Sequence, residues 1–326
     1  MPKTKSISIG IVGGAGYTAG ELIRILLYHP NAELKYIQSS SNNGEPIVAV
    51  HKDLVGETDL RFTDIDPEQV DLLFLCSGHG KSLEYMAQSD VPEHVRVIDL
   101  SHDFRLKKAG NSFVYGLPEL NRKEIKSALC VANPGCFATG IQLALLPLAA
   151  AGLLQDDLHV NAITGSTGAG QAPSKTSHFS WRDNNLSVYK AFEHQHLGEI
   201  CQSLEQAQPG FNHALHFIPV RGNHTRGIFT MAYTRYGGTL ADACQLYANY
   251  YQSHPFVHLT DENPDMKQVV NTNKCLLYLE KHGDQLMIIS CIDNLLKGAS
   301  GQAVQNMNLM FGIEETAGLN LKAVAF

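Results

Sequence analysis

The stretch from Ile7 to Pro30, "ISIGIVGGAGYTAGELIRILLYHP", decides the fold of the N-terminal half. A short β-branched run comes first and a glycine-rich turn interrupts it. Apolar residues then recur at helical spacing at Leu22, Ile25 and Leu26, and Pro30 ends the pattern. The stretch therefore predicts a strand, a tight turn and a helix, which is the first half of a βαβ unit.

The runs that follow extend this unit into a sheet. The segments "AELKYIQS", "VDLLFLCS" and "VRVIDLS" are short, largely apolar and bounded by polar turns, as buried parallel strands are. Residues 1–133 are therefore predicted to form a doubly wound α/β domain of the Rossmann type that binds a dinucleotide.

The pattern changes after Asn133. Longer β-rich runs, such as "LHFIPV" and "GIFTMAYTRY", alternate with single helices and predict an α+β catalytic and oligomerisation domain with a mixed sheet over 134–297. The last segment, 298–326, is predicted to be a helix that returns to the first domain. Its apolar residues Ala303, Met307, Met310 and Phe311 lie on one helical face.

Composition narrows the class of partner. A length of 326 residues favours two domains, and a net charge of −7 without a basic block argues against nucleic acid or an anionic membrane. The seven cysteines are scattered and never spaced as C-x-x-C, which predicts neither a disulfide framework nor a metal site. We expect a cytoplasmic protein that acts on a small molecule, since no signal region or membrane-length apolar run is evident.

The glycine-rich turn is the candidate cofactor site. Gly13, Gly16 and Ala19 recur every third residue, with Tyr17 and Thr18 between them. Such a turn lets a pyrophosphate approach backbone N–H groups at a helix N-terminus, where the helix dipole favours negative charge. The alternative interpretation is a tight connection that binds nothing.

The end of the second predicted strand bears on which cofactor binds. Ser39, Ser40 and Ser41 follow it, and no acid occurs before Glu45. An acid at this point prefers the ribose hydroxyls of NAD, whereas hydroxyl groups can donate to a 2′-phosphate. The sequence therefore predicts NADP, with a plain polar loop as the alternative.

The chemistry is expected at "VANPGCFATG", from Val131 to Gly140. Cys136 begins a predicted apolar helix, whose free N–H groups and dipole stabilise a thiolate, so it is a candidate nucleophile. Its alternative is an inert core cysteine, as expected of the other six. A cysteine with NADP suggests reduction of a thioester, which needs an acid/base such as His194 or His196.

Two further candidates accompany this chemistry. In "FEHQHLGEI", Glu199 follows His196 at i+3, close enough on a helical turn to orient its ring; a solvated helix start is the alternative. In "GNHTRGIF", Arg226 is a candidate for binding an anionic group of the substrate.

The segment "NPGCFATG" resembles the active-site signature of the N-acetyl-γ-glutamyl-phosphate reductases, which are related to the aspartate-semialdehyde dehydrogenases. The resemblance extends over nearly the whole chain in the same order, through "GGAGYTAGEL", "VIDLSHDFRL", "YGLPELNR", "GSTGAGQ" and "DNLLKGASGQAVQNMNLMFG". It implies the two-domain fold and a homo-oligomer, a dimer or a tetramer.

The resemblance also implies an activity. Cys136 would take an N-acyl-glutamyl group from an acyl phosphate, NADPH would reduce the thioester to a semialdehyde, and His196 would be the acid/base, in arginine biosynthesis. The remaining residues implied are Ser166, Gly168, Gly170 and Asn294 toward the cofactor, and Asn133 and His194 toward the substrate.

This sequence departs from the family pattern in three places. Ala19-Gly20 stands for the usual Gly-Ala, Gln195 and Gly198 replace Arg and Pro, and Pro219-Val220-Arg221 stands for "PHL", with loss of a histidine. We expect the last two changes to surround the substrate pocket. An N-succinyl or aminoadipyl substrate therefore stays open as an alternative, as does a non-catalytic NADP-binding regulator.

Overall fold

The computed structural model describes residues 6–325, and their backbone divides into two compact units. One unit contains the residues up to Pro134 together with Ala299–Asn320; the other contains Gly135–Gly298 together with the residues from Leu321. The predicted return of 298–326 to the first domain therefore stops at Asn320, and the end of the chain groups with the second unit.

The first unit is built on a six-stranded sheet whose strand pairs are all parallel. Its strands are β1 (Ile7–Val12), β2 (Ala32–Gln38), β3 (Leu72–Leu75), β4 (Arg96–Asp99), β5 (Val114–Tyr115) and β6 (Cys130–Ala132), in the order β2-β1-β3-β4-β6-β5. This arrangement confirms the predicted doubly wound α/β domain.

Helices α1 (Tyr17–Leu26), α2 (Lys81–Gln88) and α3 (Pro118–Ser127) belong to this unit. Helix α1 buries Leu22, Ile25 and Leu26, as their spacing predicts. Because β1 lies between β2 and β3, the glycine turn after β1 emerges where the strand order reverses. Doubly wound sheets bind ligands at this switch point.

The second unit is built on a seven-stranded mixed sheet, which confirms the predicted α+β domain. Its strands are β7 (Leu158–Thr164), β8 (Ser187–Val188), β9 (Leu215–Arg221), β10 (Ile228–Arg235), β11 (Val257–Leu259), β12 (Cys275–His282) and β13 (Gln285–Ile292), in the order β11-β12-β13-β10-β7-β9-β8. Only the β7/β9 and β11/β12 pairs are parallel.

Four helices accompany this sheet: α4 (Cys136–Ala150), α5 (Phe179–Arg182), α6 (Leu197–Ala207) and α7 (Leu240–Tyr251). Helix α4 packs against α6, α7, β10 and β13, and all of its residues from Phe137 to Ala149 are buried. The segment carries no charged side chain, so it can be enclosed on every side at no electrostatic cost.

The last helix, α8 (Ser300–Met310), belongs to the first unit and packs against α1 and α3. It is shorter than predicted, and the prediction of a single buried face is wrong because every residue of it is buried. Its polar side chains can be buried because their amide groups are hydrogen-bonded. Asn306 donates to the Gly116 carbonyl at 2.8 Å, and Asn308 donates to the Ala317 carbonyl at 3.0 Å.

Three further observations concern the described part of the chain. All seven cysteines are free. In residues 6–325 there is no group of three or more His, Cys, Asp or Glu side chains arranged to hold a metal ion, and no helix long and apolar enough to cross a membrane.

Candidate active site

Cys136 is the first residue of α4, as predicted. The preceding Gly135 is extended, with φ −74° and ψ 153°, and no side chain caps the helix. Cys136 therefore lies at the positive end of a 15-residue helix, where an anionic sulfur is stabilised. The Gly135 N–H donates to Oε2 of Glu199 at 3.0 Å, which ties the start of α4 to the first turn of α6.

His196 and Glu199 complete a buried cluster with Cys136. His196 is the N-cap of α6, and its Nδ1 donates to Oε1 of Glu199. Because Nδ1 is occupied in this way, Nε2 is the nitrogen left for the hydrogen bond between His196 and Cys136. Only 7% of His196 and 3% of Glu199 are exposed to solvent.

The charge state of His196 follows from these contacts. Burial disfavours the imidazolium, but the Glu199 charge and hydrogen bonds to Cys136 and Glu199 outweigh it and raise the pKa of His196 to about 9. At neutral pH the cluster therefore holds a protonated imidazole beside the side chain of Cys136.

His194 has the opposite environment. Burial, and then the charge of His196, lowers the pKa of His194 to about 3, so this ring is neutral. Its Nδ1 accepts the backbone N–H of His196 at 3.2 Å, which places the ring proton on Nε2. The ring packs edge-on against Phe137 and Phe217. These environments favour His196 over His194 as the acid/base.

A cavity of about 140 Å³ opens beside this cluster in the second unit. Besides Cys136, His194 and His196, its lining includes three cationic side chains that sequence reasoning missed: Arg182, Lys190 and Arg221. No motif marks Arg182, which comes from the four-residue helix α5, and Arg221 stands out in the sequence only as part of the altered "PHL" segment.

Arg226, predicted to bind the substrate, and Asn294, implied by the resemblance to contact the cofactor, both make internal contacts in the second unit. Arg226 is not among the cavity-lining residues: its guanidinium pairs with buried Asp293 at 2.9 Å. The Asn294 amide accepts the Gly227 N–H at 2.7 Å and donates to Oγ1 of Thr167 at 3.0 Å. Both side chains hold the fold together, and the predicted ligand roles receive no support from this geometry.

The glycine-rich run 165–170 also differs from its prediction. The Ser166 N–H donates to the His224 carbonyl at 2.9 Å and the Gly170 N–H to the Thr167 carbonyl at 3.1 Å. These groups are therefore not presented to a phosphate. Gly168 does line the cavity with Cys136.

Asn133 lies in the first unit and is 1% exposed. Its Nδ2 donates to the Ala299 carbonyl and its Oδ1 accepts from Asn306, each at 3.0 Å. These hydrogen bonds join the end of β6 to the start of α8 and give no support to the predicted role in binding substrate.

The lost family histidine does not empty the cavity. Side chains alternate between the two faces of β9, so Phe217 and Arg221 share one face and Val220 lies on the other. Phe217 packs on Phe137 of α4, and Arg221 lines the cavity. Val220 therefore lies on the face away from the cavity, and the change in this segment that reaches it is the arginine.

The cofactor turn keeps most of its predicted features. Gly13 has φ +81° and Gly16 ends the turn as the N-cap of α1 without a side-chain cap. Tyr17 is 39% exposed and Thr18 is half-buried. Ala19 is fully buried, so its side chain serves the packing of α1.

The serines after β2 have a defined arrangement. Nδ2 of Asn42 donates to Oγ of Ser39 at 2.9 Å and to Oγ of Ser41 at 2.8 Å, while Ser40 and Ser41 are exposed. The two hydroxyl oxygens also lie 3.4 Å apart, so one hydroxyl hydrogen bonds the other serine and the second remains to be donated outward. This arrangement suits an anionic group.

The displaced glycine of the turn, Gly20, has a structural reason. A Cβ built there would lie 2.7 Å from Nδ1 of His51, and Nε2 of that ring donates to the Gly14 carbonyl at 2.7 Å. His51 therefore needs a glycine in α1 in order to brace the turn from behind.

We expect Gly20→Ala to lower the free energy of unfolding by about 1–3 kcal/mol, because overpacking outweighs the helix propensity of alanine, and to weaken NADPH binding. Urea unfolding and NADPH titration measure the two effects. Gly237→Ala is the matched control, since a Cβ there meets nothing within 4 Å. Unchanged stability and NADPH affinity in Gly20→Ala would contradict the bracing role.

Comparisons with known proteins agree with this architecture. Residues 8–128 match the family model "Semialdehyde dehydrogenase, NAD binding domain", and residues 136–294 match "Semialdehyde dehydrogenase, dimerisation domain". Among solved structures, aspartate semialdehyde dehydrogenase II of Vibrio cholerae superposes with a TM-score of 0.74 at 15% identity, over 95% of this chain and 99% of that one. At this identity the likeness concerns the fold alone.

Curated relatives are much more similar in sequence. The N-acetyl-gamma-glutamyl-phosphate reductase of Parabacteroides distasonis is 60% identical over 98% of this chain and 100% of its own length. The enzyme of that name from Christiangramia forsetii is 58% identical over the same shares. The chain therefore belongs to the semialdehyde dehydrogenase family and, within it, to the N-acetyl-gamma-glutamyl-phosphate reductases.

Proposed function

We propose that the protein reduces N-acetyl-γ-glutamyl phosphate with NADPH to N-acetylglutamate 5-semialdehyde and phosphate, as a step of arginine biosynthesis. The observation that carries the proposal is the buried cluster of Cys136, His196 and Glu199 at the start of α4. The names of the curated relatives support the N-acetyl substrate and do not favour the N-succinyl, aminoadipyl or regulator alternatives.

The first chemical step uses the nucleophile. The Cys136 thiolate, stabilised by the helix N-terminus and the His196 imidazolium, attacks the γ-acyl carbon. A C–S bond forms, and the bond from this carbon to the phosphate oxygen breaks. Phosphate leaves with the electron pair and takes up one proton, so the enzyme holds a thioester.

The second step needs an acid and then a base. When bound, NADPH supplies the hydride that reduces the thioester carbon. Nε2 of His196 donates its proton to the developing alkoxide, and Glu199 holds the ring in position through Nδ1. As the C–S bond breaks, His196 takes the proton back, and the aldehyde and the Cys136 thiolate are released.

The cofactor turn fits a dinucleotide. A Cβ at Gly16 would meet nothing within 4 Å, so open space lies before the N-terminus of α1, whose N–H groups attract a diphosphate. The preference for NADP over NAD is supported by Ser39 and Ser41 and by the lack of a carboxylate between Gln38 and Glu45. A Candida albicans aspartate semialdehyde dehydrogenase with TM-score 0.70 was solved with NADP.

Assembly and location complete the proposal. Phe229, Met231 and Tyr233 lie on the face of β10 away from the buried residues that pack on α4, and they are half-buried or exposed. An apolar sheet face of this kind suits a homo-oligomeric interface, either dimeric or tetrameric. Free cysteines fit a reducing cytoplasm, and the net charge of −7 argues against a nucleic-acid partner.

The proposal predicts phosphate-dependent reduction of NADP by the purified protein when N-acetylglutamate 5-semialdehyde is supplied. The rate of NADP reduction is measured from the absorbance of the NADPH formed. N-succinylglutamate semialdehyde and aspartate semialdehyde are assayed in parallel as alternative substrates. Turnover of the N-acetyl compound that requires phosphate supports the proposal. If the protein binds NADPH but turns over none of the three semialdehydes, the alternative of a non-catalytic NADP-binding regulator is favoured. A preference for aspartate semialdehyde would overturn the substrate assignment.

A further inference from the structure

Two arginines, Arg182 and Arg221, line the cavity beside Cys136. Arg182 is only 9% exposed, and its Nε and Nη1 make no hydrogen bond within the described residues. Arg221 covers the ring of Tyr189, with its guanidinium carbon 3.9 Å from the ring centroid. Both side chains line the same cavity, and burial, followed by the charge of Arg221, lowers the pKa of Arg182.

The described residues that line this cavity include no carboxylate to offset these charges. The cationic residues of the lining are Arg182, Arg221 and Lys190, and Glu199 is already bonded to His196 and Gly135. A buried donor without a partner costs free energy, so an arginine retained in this state needs an anion that arrives from outside.

The segment from Arg182 to Phe192, which carries the first arginine of the pair and Tyr189, is held in an uncommon conformation. Asn184, Lys190 and Phe192 have φ values of 50°, 45° and 61°, in the left-handed region that residues other than glycine rarely adopt. Strain of this kind persists where the surroundings hold it, often at ligand clamps. The same segment places Tyr189 beneath Arg221 and so limits the positions open to that guanidinium.

We propose that Arg182 and Arg221 form the subsite that binds a carboxylate of the substrate and so determines its specificity. This inference rests on the function proposed above. A guanidinium presents two parallel N–H groups that match the two oxygens of a carboxylate. The substrate carries a carboxylate on its α-carbon, and an N-acyl group that ends in a second carboxylate would carry another.

A carboxylate suits this pair better than the phosphate does. The phosphate leaves after the first step, whereas the carboxylate stays bound through both steps, so a rigid and buried arginine matches the group that does not leave. Exposed Lys190 is a mobile point charge at the same cavity and is better suited to the departing phosphate.

The experiment measures KM and kcat for Arg182→Met, Arg182→Lys and Arg221→Met in the phosphorylating direction, with N-acetyl- and N-succinylglutamate semialdehyde. We expect KM for the semialdehyde to rise by about 10- to 100-fold in each neutral variant, with kcat and the KM for phosphate within a few-fold. Arg182→Lys should recover only part of the loss, because it keeps the charge and lacks the fork. Arg235→Met is the matched control, since that arginine is exposed and pairs with Asp156 and Asp284.

The two substrates identify which carboxylate is bound. An equal loss with both places the α-carboxylate in the subsite, and a loss confined to the N-succinyl compound places the acyl carboxylate there. A rise in the KM for phosphate alone, or no change in any KM, would overturn the proposal.

Thermal unfolding provides a readout that does not depend on turnover. Because Nε and Nη1 of Arg182 make no hydrogen bond within the described residues, Arg182→Met should unfold at the same temperature as the parent protein or higher, whereas loss of a structural arginine would lower it. Of N-acetylglutamate and N-succinylglutamate, the compound whose carboxylate enters the subsite should raise the unfolding temperature of the parent protein and not of Arg182→Met. If the parent enzyme turns over neither semialdehyde but this stabilisation is seen, the proposed function fails while the carboxylate subsite stands.

Discussion

Replacement of Cys136 by serine is expected to abolish the reductase reaction while NADPH binding stays near that of the parent protein. A serine hydroxyl is not ionised by the helix N-terminus or by the imidazolium of His196, so no thioester forms. Removal of a covalent nucleophile can cost on the order of 10⁶ in kcat. Phosphate-dependent NADP reduction and NADPH titration, run on the same preparation, measure the two properties.

The matched control for this variant is Cys201→Ser. Cys201 is exposed on α6 and makes no part of the cavity, so activity should be unchanged. The two thiols can also be compared directly, because iodoacetamide should alkylate half-buried Cys136 faster than exposed Cys201 near neutral pH. More than a few per cent of activity in Cys136→Ser would contradict the thioester mechanism.

Replacement of His196 by asparagine is expected to slow turnover by about 10²-fold or more, since it removes the group that gives and retrieves the proton. His194→Asn should act mainly on KM, because that neutral ring lines the cavity and offers no proton of suitable acidity. If His194→Asn reduces kcat by the larger factor, the assignment of the acid/base is wrong.

The pH profile tests the assignment of His196 in a second way. Its pKa is raised to about 9, so the imidazolium predominates at neutral pH and is lost as the pH rises through about 9. In the reductive direction kcat should therefore fall above about pH 9. In the phosphorylating direction, which needs the neutral ring as a base, kcat should rise toward this pH and then level off.

The same raised pKa contributes to stability. That contribution is fully present below the ordinary imidazole pKa of about 6.5 and is lost as the pH rises through about 9. His196→Asn should flatten both the activity limb and this part of the stability profile. If the activity profile and the stability profile near pH 9 are both unchanged in His196→Asn, a group other than His196 titrates in that range.

Features that depend on near neighbours in the chain were predictable. The doubly wound sheet follows from short apolar runs. The position of Cys136 at the start of a helix follows from Pro134 and Gly135, which interrupt the regular structure directly before it. The pairing of His196 with Glu199 follows from i+3 spacing on the first turn of α6. In each of these cases the geometry is set by the backbone over one or two turns.

The sequence by itself therefore determined the two sheet types and the local spacing that brings Cys136 to a helix N-terminus and His196 next to Glu199. Only the tertiary structure decided which polar side chains are available to a ligand. Arg226 is neutralised by Asp293, while Arg182 and Arg221, 39 positions apart in the numbering, meet at one cavity without a carboxylate. The physical reason is that a buried side chain pairs with whichever segment the fold brings near. Residue spacing along the chain does not indicate which segment that is.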